Sequence, residues 1–388
     1  MTFFRRTSKN QITLRRIASF IALSSLFSIS HADFEHFIER DGHKLIENGE
    51  EFRFVGLQAT ELHRLEDDSR GHCPEDPRPW AQYFKWPTAE EQENWIRSLT
   101  DSGHKAMRTY VLSVSTPWDA ACGRETHILP PREKGGMPRL NEKAMQVYDR
   151  MIYLADKHKL RLILPIIDHW QWWGGREQLA AFYNEGPDAL YDTSSQTYRA
   201  YQDIIRQLLT RRNTLTNRLY SEEKTIMAWE TGNELKFSTP DFVSQTAALF
   251  KALSPNHLVV DGTYLKILES SLSDPNVDII SNHYYTVNGN NNPEQIGKDL
   301  TAIKGKKVYL LGEFGLREAS FLDKIMQAAL DTEVNGARTA GAFIWSFRGH
   351  RHNGGFYWHK EYTGTYSYRM PGFAEADHND EQAVVAIV

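Results

Sequence analysis

The chain has 388 residues, of which 40% are hydrophobic, 12% aromatic and 24% charged, and only two are Cys. This composition excludes a disordered chain, a collagen-like repeat and a small protein dense in disulfides. The formal net charge is −5, but five Lys and Arg and no acid lie in residues 1–32, so the remainder carries a net charge of −10. Because such an acidic chain repels phosphate, neither nucleic acid nor an anionic membrane is expected as a partner.

Residues 1–32 have the pattern of a signal peptide. Basic residues end at Arg16, an uncharged apolar run spans 17–29, and Ser30-His31-Ala32 offers small residues at the two positions that signal peptidase reads. The apolar run is short for a bilayer, although an uncleaved anchor is the alternative. We therefore predict a signal peptide at 1–32 and a mature domain at 33–388, secreted or periplasmic, with no membrane partner after cleavage. We expect it to be a monomer.

An exported protein permits a disulfide, and Cys73 and Cys122 allow one pairing. Both cysteines lie in Pro- and Gly-containing segments that are predicted to be loops. The sequence leaves open whether they are bridged or remain two free thiols.

The first predicted element of the mature chain is a β-hairpin, with residues 37–40 and 44–46 on either side of Asp41-Gly42, a strong two-residue turn signal. Eight apolar, strand-like runs follow, at 52–59, 106–113, 161–168, 225–232, 258–262, 278–285, 307–315 and 341–347. Amphipathic segments lie between them, at 90–100, 142–158, 197–211, 240–253, 293–303 and 321–334, with a short candidate at 265–272.

A strand and a helix repeated eight times predict a single α/β domain, a (β/α)₈ TIM barrel. The runs are continuously apolar, as expected of parallel strands buried on both faces. An open doubly wound sheet is the alternative, but its glycine-rich phosphate loop is absent after the first run. Long loops on the catalytic face are predicted near 63–88, 114–139, 169–192 and 348–372. Seven Trp lie in these loops and could stack on sugars or pack their own loops: Trp80, Trp86, Trp118, Trp170, Trp172, Trp173 and Trp358.

Active sites of such barrels form at the carboxyl ends of the strands. Two carboxylates stand there, because Glu234 closes the fourth run and Glu313 closes the seventh. These strands lie on opposite sides of a small barrel, so both acids could face one cleft, which is the arrangement that glycoside hydrolysis needs. Glu230, four residues before Glu234, should lie roughly 13 Å deeper and pair with a core arginine.

The motifs around these acids resemble those of glycoside hydrolase family five, most closely its β-mannanase branch. The resemblance rests on Thr225-Ile226-Met227-Ala228-Trp229-Glu230-Thr231-Gly232-Asn233-Glu234, on Gly312-Glu313-Phe314-Gly315, and on Asp168-His169-Trp170 with Gly174-Gly175. It covers roughly residues 34–350. It implies a retaining β-glycosidase that hydrolyses β-1,4-mannosidic bonds in mannans or manno-oligosaccharides, without a cofactor.

The resemblance also implies roles for eight residues. Glu234 would be the acid/base and Glu313 the nucleophile, with a lower pKa because Arg108 and Tyr285 favour its ionised form. The remaining residues would contact the sugar or line its site: Asn233 at the 2-hydroxyl, His283 beside the acids, Trp345 as the floor under the reacting sugar, and Trp170.

Three departures from the family pattern concern mainly the outer sugar sites. Leu235 follows Glu234 where proline is usual, Thr60-Glu61 replaces an aromatic platform, and Asp168-His169 stands where asparagines are favoured. Endo versus exo action is therefore open, and so is the sugar. A β-1,4-glucanase or other β-glycanase is one alternative, and a non-catalytic glycan-binding barrel is another. His350 and His352 form an H-x-H pair, but no metal site is predicted from it.

Overall fold

The structure is a computed structural model that describes residues 33–67, 70–78, 82–357, 359, 361, 368–369 and 381–388. The predicted signal peptide and the loop residues Trp80 and Trp358 lie outside this part of the chain. Within it, every helix falls short of the length and apolar character needed to cross a bilayer.

Eight parallel strands form the central sheet, in the order β1-β8-β7-β6-β5-β4-β3-β2. They are β1 Phe54–Gln58, β2 Ala106–Arg108, β3 Arg161–Pro165, β4 Ile226–Glu230, β5 Leu258–Asp261, β6 Ile279–Tyr284, β7 Val308–Gly315 and β8 Thr339–Trp345. The two edge strands of the order, β1 and β2, lie next to each other, and His104 Nε2, two residues before β2, accepts a hydrogen bond of 2.8 Å from the backbone N–H of Leu57 in β1. The predicted (β/α)₈ barrel and its eight strands are thus confirmed.

Helices follow the strands around the barrel. They are α1 Ala89–Asp101, α2 Glu142–Lys157, α3 Arg176–Ala181, α4 Gln196–Leu209, α5 Pro240–Leu253, α6 Glu269–Ser273, α7 Glu294–Ile303, α8 Ala319–Asp331 and α9 Glu381–Val385. The start of α1 shows why such segments are helical, since Thr88 and Glu91 form a reciprocal capping box that satisfies two backbone N–H groups. The short helices α3 and α9 were not predicted, because five or six residues are too few to show a helical period.

The predicted hairpin closes the amino end of the barrel. Its strands are Glu39–Asp41 and Lys44–Glu47, and a third short strand, Glu50–Glu51, extends the sheet. Ile38 and Leu45 are buried in one apolar cluster with residues from the barrel interior. Because this end is filled by side chains, the opposite end of the barrel is left for a site.

Three of the loops at that opposite end each contain a short pair of strands. Leu65–Glu66 pairs with Phe84–Lys85, Ile128–Leu129 with Arg139–Leu140, and Phe347–Arg348 with Tyr368–Arg369. A disulfide joins Cys73 to Cys122, which answers the question that the sequence left open. The bond fixes the loop after β1 to the loop after β2.

Candidate active site

A cavity of about 1030 Å³ opens at the carboxyl ends of the strands. Six of the eight predicted site residues line it, namely Trp170, Asn233, Glu234, Tyr285, Glu313 and Trp345. Arg108 and His283 do not line it and are buried behind the glutamates, where Arg108 contacts Glu313 and His283 contacts both acids. The structure therefore brings all eight residues into one region.

Glu313 is held at both carboxylate oxygens. Arg108 Nη1 donates to Oε1 at 2.7 Å, and the Tyr285 hydroxyl donates to Oε2 at 2.8 Å. The register of β6 and β7 places His283 directly opposite Glu313. Glu313 lies on a buried strand, and both of its carboxylate oxygens accept hydrogen bonds. Its side chain is therefore fixed in one orientation toward the cavity.

The Arg108 guanidinium serves two carboxylates. Its Nε and Nη2 donate to Glu230 at 2.7 and 2.8 Å, while Nη1 donates to Glu313. The expected pairing of Glu230 with a core arginine is thus confirmed. The expectation of a lowered pKa for Glu313 was wrong, because burial raises its pKa more than Arg108 and Tyr285 lower it. Since Glu230 takes two of the three hydrogen bonds that Arg108 donates to carboxylates, one positive charge is divided between two buried anions.

Glu234 lies across the cavity in a different environment. Its Oε2 accepts a hydrogen bond of 2.5 Å from the Trp170 indole N–H, and its Oε1 lies 2.9 Å from His283 Nδ1. Burial raises the pKa of Glu234 to about 7, although Trp170 and Arg108 lower it. The carboxyl group is therefore poised to exchange a proton near neutral pH.

The backbone at Glu234 explains one departure from the family pattern. Glu234 has a φ of 53°, in the left-handed region that few non-glycine residues adopt. The next N–H, that of Leu235, donates to the Gly262 carbonyl at 2.9 Å and ties the turn to β5. Proline at position 235 could not make this bond, so Leu235 supplies a hydrogen bond that the usual residue lacks.

Asn233 belongs to a buried polar network on the β3 side. Its Oδ1 accepts from Arg108 Nη2 at 3.0 Å, and its Nδ2 donates to Asp168 Oδ1 at 3.0 Å. The Tyr110 hydroxyl donates to Asp168 Oδ2 at 2.8 Å. Burial raises the pKa of Asp168 to about 7. The sequence patterns gave Tyr110 no role, although it lies two residues after Arg108.

Burial also decides the charge of His283. It lowers the pKa of this imidazole to about 4, so the ring is neutral near pH 7. Nδ1 of His283 lies 3.5 Å from Glu313 Oε2 as well as beside Glu234. A neutral ring can therefore contact both acids without adding a second cation.

Two of the predicted site residues are indoles that present their rings at the cavity. Trp345 is 8% exposed, and its ring lies 5.7 Å from that of Tyr110. Trp170 is 40% exposed beside Glu234. Trp172 also lines the cavity, whereas Trp173 is buried and donates its indole N–H to the Val111 carbonyl. The remaining described loop indoles pack elsewhere.

The two catalytic candidates are close together. Single carboxylate oxygens of Glu234 and Glu313 and a nitrogen of His283 all lie within 4.8 Å of one another. These three residues have the spacing of metal ligands. In the described part of the chain, one further group has such spacing, and it contains Cys73 and Cys122, whose sulfurs are bonded to each other. His350 and His352 belong to neither group.

Two carboxylates that face one cavity from β4 and β7 of a (β/α)₈ barrel place the site in the class found in glycoside hydrolases. Residues 120–311 match the family model described as "GH family 5 beta-mannosidase-like". The comparison confirms the predicted resemblance to glycoside hydrolase family five and to its β-mannanase branch.

Individual relatives agree with this match. The chain is 23% identical over 234 residues to mannan endo-1,4-beta-mannosidase 1 of Arabidopsis thaliana, covering 58% of the chain and 50% of the relative. It is 28% identical over 213 residues to mannan endo-1,4-beta-mannosidase 8 of Oryza sativa subsp. japonica, covering 50% and 56%. The chain thus aligns with about half the length of these relatives.

Solved structures show the same fold. A glycoside hydrolase family 5 mannosidase from Rhizomucor miehei, in complex with mannosyl-fructose, superposes with a TM-score of 0.68 at 17% identity, covering 91% of this chain and 96% of that one. The endo-beta-1,4-mannanase from Thermotoga petrophila superposes with a TM-score of 0.66 at 19% identity, covering 88% and 77%.

Proposed function

We propose that this chain hydrolyses β-1,4-mannosidic bonds in mannans or manno-oligosaccharides, with retention of configuration. The observation that carries the proposal is the approach of Glu234 and Glu313 to within 4.8 Å at single oxygens, across a cavity that both line. Retaining glycosidases hold their two carboxyl groups about 5–5.5 Å apart, whereas inverting enzymes need about 6.5–9.5 Å to admit a water molecule.

In the first step, Glu313 attacks the anomeric carbon. Its bond to Tyr285 and its share of the Arg108 charge stabilise the carboxylate and aim it. Glu234, with a pKa of about 7, gives its proton to the departing glycosidic oxygen. The products are a covalent glycosyl ester on Glu313 and a free aglycone.

In the second step, Glu234 changes from acid to base. Forming the ester removes the charge of Glu313, which lowers the pKa of the nearby Glu234 and favours its ionised form. Glu234 then takes a proton from a water molecule, which attacks the anomeric carbon and frees Glu313. Asn233 and Trp345 would hold the sugar through its 2-hydroxyl and its ring face.

The choice of mannose rests on the relatives rather than on the geometry, since their names describe mannan hydrolysis. A panel of mannan, galactomannan, glucomannan, cellulose and mannobiose, with product sizes measured, tests it. We expect the mannose-containing substrates to be cleaved. Turnover of cellulose alone would establish the glucanase alternative, and binding without turnover would establish the non-catalytic one.

We further propose that the protein is exported and works as a monomer, secreted or periplasmic. The basic and apolar pattern of residues 1–32 supports export. Amino-terminal sequencing of protein recovered outside the cytoplasm should begin at Asp33, and retention of residues 1–32 on membranes would instead support the anchor. Analytical ultracentrifugation should give the mass of a single chain.

A further inference from the structure

A group of charged side chains lines the cavity on the side of β1 and β8. We call Glu66, His359 and Glu361 the ionic wall; all three line the same cavity as the two catalytic candidates. His359 Nδ1 lies 2.9 Å from Glu66 Oε2, and His359 Nε2 lies 3.4 Å from Glu361 Oε2. The imidazole therefore joins two carboxylates that come from different loops.

The ionic wall begins at the edge of the proposed sugar floor. The Trp345 indole N–H donates to Glu361 Oε1 at 2.7 Å. The His359 ring stacks on Trp172, with ring centres 5.6 Å apart and planes at 20°. The three charged groups are nearly buried, with 12% or less of each side chain exposed. They consequently have fixed positions from which to meet a sugar on Trp345.

A buried arginine lies next to the charges of the ionic wall. Arg348 forms an ion pair with Glu61, and its Nη2 lies 3.8 Å from Glu66 Oε2. Although burial lowers it, Glu66 and Glu361 raise the pKa of His359 well above its usual range, so the ring is a cation. Thr60-Glu61 stands where the resemblance implies an aromatic platform for a distal sugar. Here that position anchors an arginine instead.

The ionic wall lies on the glycone side of the cavity. Glu234 protonates the leaving oxygen, so the aglycone lies toward β4 and the exposed Trp170. The glycone must extend away from it, and in the strand order β1 and β8 are adjacent to each other and distant from β4. The loops after β1 and β8 supply Glu66, His359 and Glu361. The non-reducing end of the bound sugar thus faces fixed charges.

We propose that the ionic wall makes the enzyme exo-acting, by binding the hydroxyl groups of the non-reducing terminal sugar on Trp345 and preventing the polymer from extending past it. This inference rests on the proposed function. Carboxylates accept hydrogen bonds from sugar hydroxyls, and charge-assisted bonds of this kind are strong. The imidazolium holds the two carboxylates in place, because each of its ring nitrogens faces one of them. A terminal hydroxyl can donate to these carboxylates, whereas an interior residue has a glycosidic linkage in that place.

The test uses the mature protein, mannohexaose with its reducing end converted to the alditol, and an aryl β-mannoside. We expect mannose and mannopentaitol as the first products from the hexaitol, together with turnover of the aryl mannoside. Internal products at the start would overturn the inference, as would failure to release mannose by an enzyme that cleaves the aryl mannoside. If neither compound is cleaved, the proposed function itself fails, and the inference fails with it.

The variant Glu361→Gln tests the role of charge, because it keeps the shape and an acceptor for the Trp345 N–H. We expect kcat/KM on mannobiose to fall about 10- to 100-fold, the effect of weakening a hydrogen bond to a charged group. The control Glu269→Gln lies on the surface, where Glu269 pairs with Lys304 and Lys306, and should leave kcat/KM unchanged. Equal activity of Glu361→Gln and the wild type, with unchanged thermal stability, would contradict the role of this carboxylate.

Discussion

Replacing Trp170 by phenylalanine should move the alkaline limb of the pH–rate profile to higher pH. The indole N–H donates to Glu234 Oε2 at 2.5 Å and lowers the pKa of a carboxyl group that burial has raised to about 7. Phenylalanine keeps an aromatic ring and removes the donor. A hydrogen bond to a charged group is worth about 1.5 kcal/mol, which corresponds to roughly one pH unit.

The direction of this shift follows from the role of Glu234 as the acid. Its protonated form is active, so the rate falls as the pH rises through its pKa. In Trp170→Phe that fall should shift upward, from near pH 7 to about one unit higher. The assay is kcat/KM against pH on mannobiose, and Trp118→Phe, whose ring contacts Arg78 instead, is the control. An alkaline limb that stays at the same pH or moves to lower pH would refute the assignment of Glu234 as an acid whose pKa the hydrogen bond from Trp170 lowers.

The contacts in and around the cavity predict the outcomes of other substitutions. Glu313→Gln should abolish turnover, since an amide cannot attack the anomeric carbon, as measured on mannobiose and an aryl mannoside. Glu234→Ala should lose mannobiose hydrolysis but keep cleavage of substrates with activated leaving groups, which need no protonation, and azide should then yield a β-mannosyl azide. An equal loss of activity on both kinds of substrate would contradict the role of Glu234 as the acid/base. Arg108→Met leaves two buried carboxylates without their cation, so urea unfolding should show a loss of about 3–5 kcal/mol, and an unchanged midpoint would contradict the buried ion pairs. Converting Cys73 and Cys122 to Ser should cost about 4 kcal/mol, because the disulfide closes a loop of 49 residues in the unfolded chain; a smaller change by the same method would argue against that contribution.

The barrel and the two acids could be predicted because both depend on local patterns. Each strand is a continuous apolar run, and the topology of the fold then brings the ends of all runs to one mouth. Glu234 and Glu313 needed only to be found at such ends. Their separation of 79 positions in sequence did not matter once the fold was known.

The electrostatics could not be predicted in the same way. The pKa of Glu313 depends first on its burial and only then on the charge of Arg108, which Glu313 shares with Glu230 through side-chain geometry across the barrel. Glu66 and His359 of the ionic wall are 293 positions apart in sequence, and no periodic pattern links two such loops. Contacts of this kind depend on loop conformation, for which the sequence carries weaker signals than for buried strands.

The central claim is that Glu313 forms a covalent bond to the sugar. The most direct measurement is peptide mass spectrometry of the enzyme after reaction with 2-deoxy-2-fluoro-β-mannosyl fluoride, which slows breakdown of the glycosyl ester. We expect a single added 2-fluoromannosyl group, on the peptide that contains Glu313, with loss of activity in step with labelling. A label on Glu234, or inactivation without any covalent label on Glu313, would contradict the double-displacement mechanism proposed for this chain.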